Sequence, residues 1–175
     1  MINIFRQALH HIPGGRVLDV ANAQGGFIGI LKESLKNYTE IIGVDVDKHA
    51  IASARSPFDE EDFCFVQMAG ERLGFEDQSF DTVSAATSLH HLANPSQALA
   101  EMRRVLKPGG HLIVSEMHRD GQTEPQLTAV RIHHWAAAQK RDEGTIDLDP
   151  ILLPIAVQRS ENPSVFPACL IHMPS

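Results

Sequence analysis

The sequence predicts an α/β protein: a doubly wound, mostly parallel sheet with helices on both faces. Three observations carry this. Short β-rich apolar runs recur between residues 16 and 115, stretches with apolar residues at helical spacing lie between them, and Gly, Pro or Asn breaks separate the two kinds. After an apolar-periodic lead-in at Ile2, Phe5 and Leu9, Pro13-Gly14-Gly15 breaks the chain and Arg16 to Val20 reads as the first strand. Gly25-Gly26 opens a helix with Phe27, Ile30, Leu31 and Leu35 on one face, ending near Asn37. Ile41 to Val44 is a continuous apolar run, as expected of a strand buried on both faces, and Asp47 stands where it can cap a helix carrying Ile51 and Ala54. Phe63 to Val66, Thr82 to Ala86 and His111 to Ser115 follow as the third, fourth and fifth strands. Asn94-Pro95 begins a helix striped by Ala98, Leu99, Met102, Val105 and Leu106, which Pro108-Gly109-Gly110 is expected to stop.

The rest is less regular. Glu124 to Arg141 can form one more helix, with Trp135 near its apolar face. From Gly144 on, Pro150, Pro154, Pro163, Pro167 and Pro174 interrupt every candidate strand except Ile155-Ala156-Val157. The expected organisation is one domain over 1–143 and an irregular, Pro-rich tail over 144–175.

Composition excludes several classes. With 175 residues, 43% of them hydrophobic, the chain can bury one core. Its 15 Lys and Arg against 22 Asp and Glu, a net charge of -7, give no cationic footprint, so no nucleic-acid partner is expected. Cys64 and Cys169 lie in no metal or redox spacing; they suit a reduced, cytoplasmic setting, and Cys64 is expected to be a buried thiol. Met1 to His11 lacks an apolar leader core, and no run reaches the ~20 apolar residues of a membrane span. His133 and His134 are adjacent, so on a helix they point about 100° apart rather than together toward one metal, and no metal is expected.

The turn after the first strand, Asp19-Val20-Ala21-Asn22-Ala23-Gln24-Gly25-Gly26, is where a doubly wound sheet receives the polar end of a nucleotide-like ligand. Asp45 closes the second strand, where a carboxylate can accept hydrogen bonds from ribose hydroxyls. Alone, this pair also fits a degraded dinucleotide fingerprint at Ala21, Ala23 and Gly26.

The downstream half separates the two. Val17-Leu18-Asp19-Val20, Gly43-Val44-Asp45, Phe65 to Asp81, Ser88-Leu89-His90-His91-Leu92 and Ala98 to Gly110 occur in order over residues 16–117. This set resembles class I S-adenosylmethionine-dependent methyltransferases, most of all the branch holding the ubiquinone and menaquinone biosynthesis enzymes. The resemblance implies a Rossmann-like sheet, S-adenosyl-L-methionine as cofactor and a small-molecule acceptor. It also implies that Asp19 with the Ala21, Ala23 and Gly25 loop holds the methionine end, Asp45 the ribose, and Val46, Met68 and Ala69 the adenine. His91 and His90, at the mouth of strand four, become the candidate bases.

Against the family pattern, Ala21 and Ala23 replace glycines; alanine at positive φ costs about 1 kcal/mol. Ala69 stands where the family usually has the Asp that accepts from the adenine amino group, and Glu71 is the nearest substitute. The family's closing antiparallel hairpin has no evident counterpart, which marks the C-terminus as atypical or truncated. It would also leave strand five as an exposed edge through which a second copy could dimerise. These departures give an alternative reading: a non-catalytic relative that senses cofactor or binds protein.

Overall fold

The computed structural model describes residues 6, 9–116, 156–158 and 168–172. The five expected strands are present: β1 (Pro13–Val20), β2 (Lys36–Asp45), β3 (Phe63–Gln67), β4 (Phe80–Ala86) and β5 (Leu106–Ser115). They pair in parallel. Helices α1 (Gly26–Ser34), α2 (Lys48–Arg55) and α3 (Pro95–Val105) follow β1, β2 and β4, β3 leads to β4 without a helix, and a 3₁₀ turn covers Leu89–His91. With β6 (Ala156–Gln158) and β7 (Ala168–His172) the sheet has seven strands in the order β3-β2-β1-β4-β5-β7-β6.

Alternation along the strands divides the core into two layers. Leu18 and Val20 of β1 pack with Ile42, Val44, Val83 and the α3 stripe of Ala98, Leu99, Met102 and Val105. Val17, one residue before Leu18, turns the other way, to Ile28 and Leu31 of α1 and Ile51 and Ala54 of α2. The chain winds outward from β1 in both directions, so β1 and β4 flank the switch point where their carboxyl ends leave a crevice.

The strands start earlier than their apolar runs. Pro13-Gly14-Gly15 belongs to β1, with a register shift between Gly15 and Arg16. Pro108-Gly109-Gly110 likewise lies within β5, and α3 ends before it, at Val105. A Cβ on Gly110 would stand 2.8 Å from the Asp81 carbonyl oxygen, so glycine there permits close strand approach, where a helix stop was expected. Cys64 corrects another expectation: it is exposed, because β3 is an edge strand and only Phe65, 3% exposed, turns inward.

The tail is also corrected in part. Within 144–175, residues 156–158 and 168–172 are strands, and β7 pairs antiparallel with β5 from His111 to Ser115. Strand five is therefore not an exposed edge, and the dimerisation expected through it loses its basis. The helix expected over 124–141, with Trp135 and the His133-His134 pair, lies outside the described residues. Among the described residues, no helix is long and apolar enough to cross a membrane.

Candidate active site

The carboxyl ends of β1, β2 and β4, with the segments that follow them, bring the expected residues together. Asp19, one residue before the end of β1, is 1% exposed and accepts a 2.7 Å hydrogen bond from Ser84 Oγ on β4. Burial pushes its carboxyl up to about 7; the Ser84 hydrogen bond pulls it back, and the nearby Asp45 charge adds to the rise. The turn beyond β1 is tight: Asn22 N–H donates to the Val44 carbonyl, and Gly25 N–H to that of Asn22. Ala21 (φ 55°) and Ala23 (φ 46°) both occupy left-handed backbone, the conformation that makes glycine the usual residue there. Gly25 (φ 80°) precedes α1, whose first turn has no side-chain cap and no acidic residue, so its amino end carries the positive pole of the helix.

Asp45 at the end of β2 ties this turn to the next. Its Oδ2 accepts from Ala23 N–H at 2.9 Å and its Oδ1 from Asp47 N–H at 2.9 Å. Val46 follows at 58% exposure, the one exposed large hydrophobic residue among those described. Met68 joins the same rim, its N–H donating to the Asp45 carbonyl, while Gln67 Nε2 donates to that of Val46. Ala69 is half-buried. Glu71, the nearest acid to position 69, accepts from Ala93 and Asn94 N–H through Oε1, at the start of α3.

On the other side of the crevice, Thr87 leaves β4 at φ 51°, an uncommon conformation for a β-branched residue, and leads into the Leu89–His91 turn. His91 is exposed, and His90 is half-buried with its ring 4.0 Å from that of His91. A residue the sequence reading overlooked organises this turn. Glu116, immediately after β5, accepts from Ser88 N–H at 2.6 Å and Leu89 N–H at 2.7 Å through Oε1. Its Oε2 lies 3.0 Å from His90 Nδ1. The only sequence signal was an acid at the carboxyl end of a strand adjacent to β4.

The chain carries groups that suit S-adenosylmethionine. Asp19 is a buried carboxyl with no ion pair among the described residues. Asn22 Oδ1 is buried without a hydrogen-bond partner, and an apolar side chain stands exposed beside Asp45. Comparison with known proteins agrees: the family model described as "Methyltransferase domain" matches residues 18–114. The chain belongs to that family. Its cofactor is accordingly S-adenosylmethionine, and its sheet is the Rossmann-like one of methyltransferases.

Among curated relatives, the ubiquinone/menaquinone biosynthesis C-methyltransferase UbiE of Xanthomonas oryzae pv. oryzae is 36% identical over 108 residues, 59% of this chain and 43% of that protein. The demethylmenaquinone methyltransferase of Deinococcus radiodurans is 39% identical over 112 residues, 63% of this chain and 46% of that protein. The chain thus spans less than half the length of these relatives. The protein solved in complex with the Haloferax volcanii Trm112 methyltransferase activator superposes with a TM-score of 0.78 at 18% identity, covering 99% of this chain and 89% of its own. A methyltransferase of Aquifex aeolicus superposes at 0.72 with 16% identity, covering 98% and 89%. At these identities the likeness is one of fold.

Proposed function

We propose that this methyltransferase acts on a small-molecule acceptor that must lose a proton, with His90 as the base and Glu116 as the residue that orients it. The observation that carries this reading is Glu116 bridging Ser88 N–H, Leu89 N–H and His90 Nδ1. A carboxylate beside Nδ1 favours the proton on that nitrogen, the tautomer in which Nε2 is the basic nitrogen. The two backbone contacts hold the turn still while the ring works. The bound cofactor supplies an electrophilic methyl group on a sulfonium. His90 Nε2 would take the acceptor's proton as the acceptor gains the methyl group and the sulfonium's carbon–sulfur bond breaks, its electron pair staying on sulfur as a neutral thioether. The chain's remaining contribution is positioning: Asp19 and the Ala21, Ala23 and Gly25 turn for the methionine end, Asp45 for the ribose, Val46, Met68 and Ala69 for the adenine. His91, the other base candidate, is the more exposed of the pair.

The net charge of -7 supports a small-molecule rather than nucleic-acid acceptor, and two cysteines in no redox spacing suit a cytoplasmic setting. Glu116→Gln tests the reading. The amide can accept the two backbone N–H groups but offers its own N–H to Nδ1, which moves the ring proton to Nε2. Methyl transfer to a panel of phenolic and activated-carbon acceptors should fall by about 10²-fold or more while cofactor affinity holds. Unchanged turnover would remove His90 from the chemistry.

One observation favours the non-catalytic reading: Ala69 stands in place of an acid, and the nearby Glu71 spends Oε1 on Ala93 and Asn94 N–H at the start of α3. Cofactor binding without turnover on any acceptor would support it.

A further inference from the structure

Asp19 is an anomaly of charge. It is 1% exposed, and its described polar partner is the Ser84 hydroxyl of β4. No Lys, Arg or His pairs with it among the described residues. The charged group that faces it is another carboxylate, Asp45 at the end of neighbouring β2, which raises the cost of ionising Asp19. Asp45 is served by two N–H donors, from Ala23 and Asp47, so it is the better placed of the two to hold the negative charge. A carboxyl taken from water with neither a cation nor such donors keeps its proton until a cation arrives.

We propose that ligand binding at this site is linked to release of a proton from Asp19, which is held partly as the acid in the ligand-free protein near neutral pH and ionises fully when a cationic amino-acid end enters the crevice. The inference rests on the proposed binding of the methionine end beside Asp19 and adds to it a selectivity device. A ligand that brings an ammonium or sulfonium charge stabilises the ionised carboxyl. A neutral nucleoside cannot, and meets the protonated form. Charge balances simply: the O–H bond of Asp19 breaks, its proton goes to solvent, and the carboxylate is compensated by the ligand's cation.

The sign of the pH dependence follows. With the ligand-free carboxyl at about 7, affinity for the cationic ligand falls as pH drops through 7, by roughly tenfold between pH 7.5 and 6.

The experiment is calorimetric titration of the full chain with S-adenosylmethionine at pH 6.5, in buffers of different ionisation enthalpy, with 5′-methylthioadenosine as the neutral probe. At that pH the ligand's own amino group, near 7.8 as an α-amine, stays protonated and does not obscure the count. The expected result is release of about three quarters of a proton with S-adenosylmethionine and none with methylthioadenosine. Asp19→Asn, which still accepts from Ser84, should bind without releasing a proton. Binding of S-adenosylmethionine with no proton release, or the same release with methylthioadenosine or with Asp19→Asn, would overturn the linkage and leave the cofactor reading standing. No binding at any pH would overturn both.

Discussion

The two sides of the crevice treat their acids in opposite ways. At β4 and β5, Glu116 has every described contact it needs: two backbone N–H groups and the His90 ring. At β1, Asp19 is more deeply buried and receives only a neutral hydroxyl. A carboxylate held by backbone donors and a ring fixes geometry, whereas one with a neutral hydroxyl and no described cation stands where the proposed ligand would bring its charge.

The contrast can be broken from either side. The largest effect is expected at Glu116→Ala, which strands two N–H donors and releases His90; turnover should fall by about 10³-fold, and unfolding free energy by about 1–3 kcal/mol per stranded group. Parallel acceptor assays and denaturant titrations check both. Next comes Asp45→Ala, which removes the acceptor of Ala23 and Asp47 N–H as well as the proposed ribose partner. Cofactor affinity should drop about 10- to 100-fold, read by calorimetry.

A smaller effect concerns stability and pH. The folded carboxyl of Asp19 lies at about 7, above its unfolded value, so the stability it lends is complete below about pH 4 and is lost as pH rises through 7. The unfolding free energy of the wild type, minus that of Asp19→Asn, should therefore decline across that window. Asp81 and Glu101, held below the usual carboxylate range, lose their contribution at the acid end, and taking the difference cancels them. A flat difference would mean that Asp19 is ionised in the ligand-free fold. The smallest effect is expected at Ala23→Gly: relief of the left-handed alanine is largely offset by the looser unfolded chain, so stability should change by no more than about 1 kcal/mol. Thermal melts resolve this.

The sequence was most informative where a physical requirement is local. Val17 to Val20 and Ile41 to Asp45 announce buried parallel strands, and Ala21 and Ala23 sit at positive φ as their place in a glycine turn implied. Legibility failed where the requirement is set by the neighbour across the sheet. Glu116 matters because β5 lies beside β4, and nothing within its own stretch of sequence says so. Cys64 was misread because a continuous apolar run looks the same in a central strand and at an edge, where one face stays in water. β7 was missed because prolines before a strand resemble prolines within one. Glu71 was close to the adenine rim in sequence, but α3 had the prior claim on its carboxylate.

The most direct test of the account is calorimetric titration of the whole chain with S-adenosylmethionine at pH 7.5, with NADH in parallel. Saturable binding of S-adenosylmethionine, weakened by Asp45→Ala and absent for NADH, is the predicted result. A folded sample that takes up no S-adenosylmethionine at millimolar concentration would contradict it, leaving a methyltransferase fold without the site described for it.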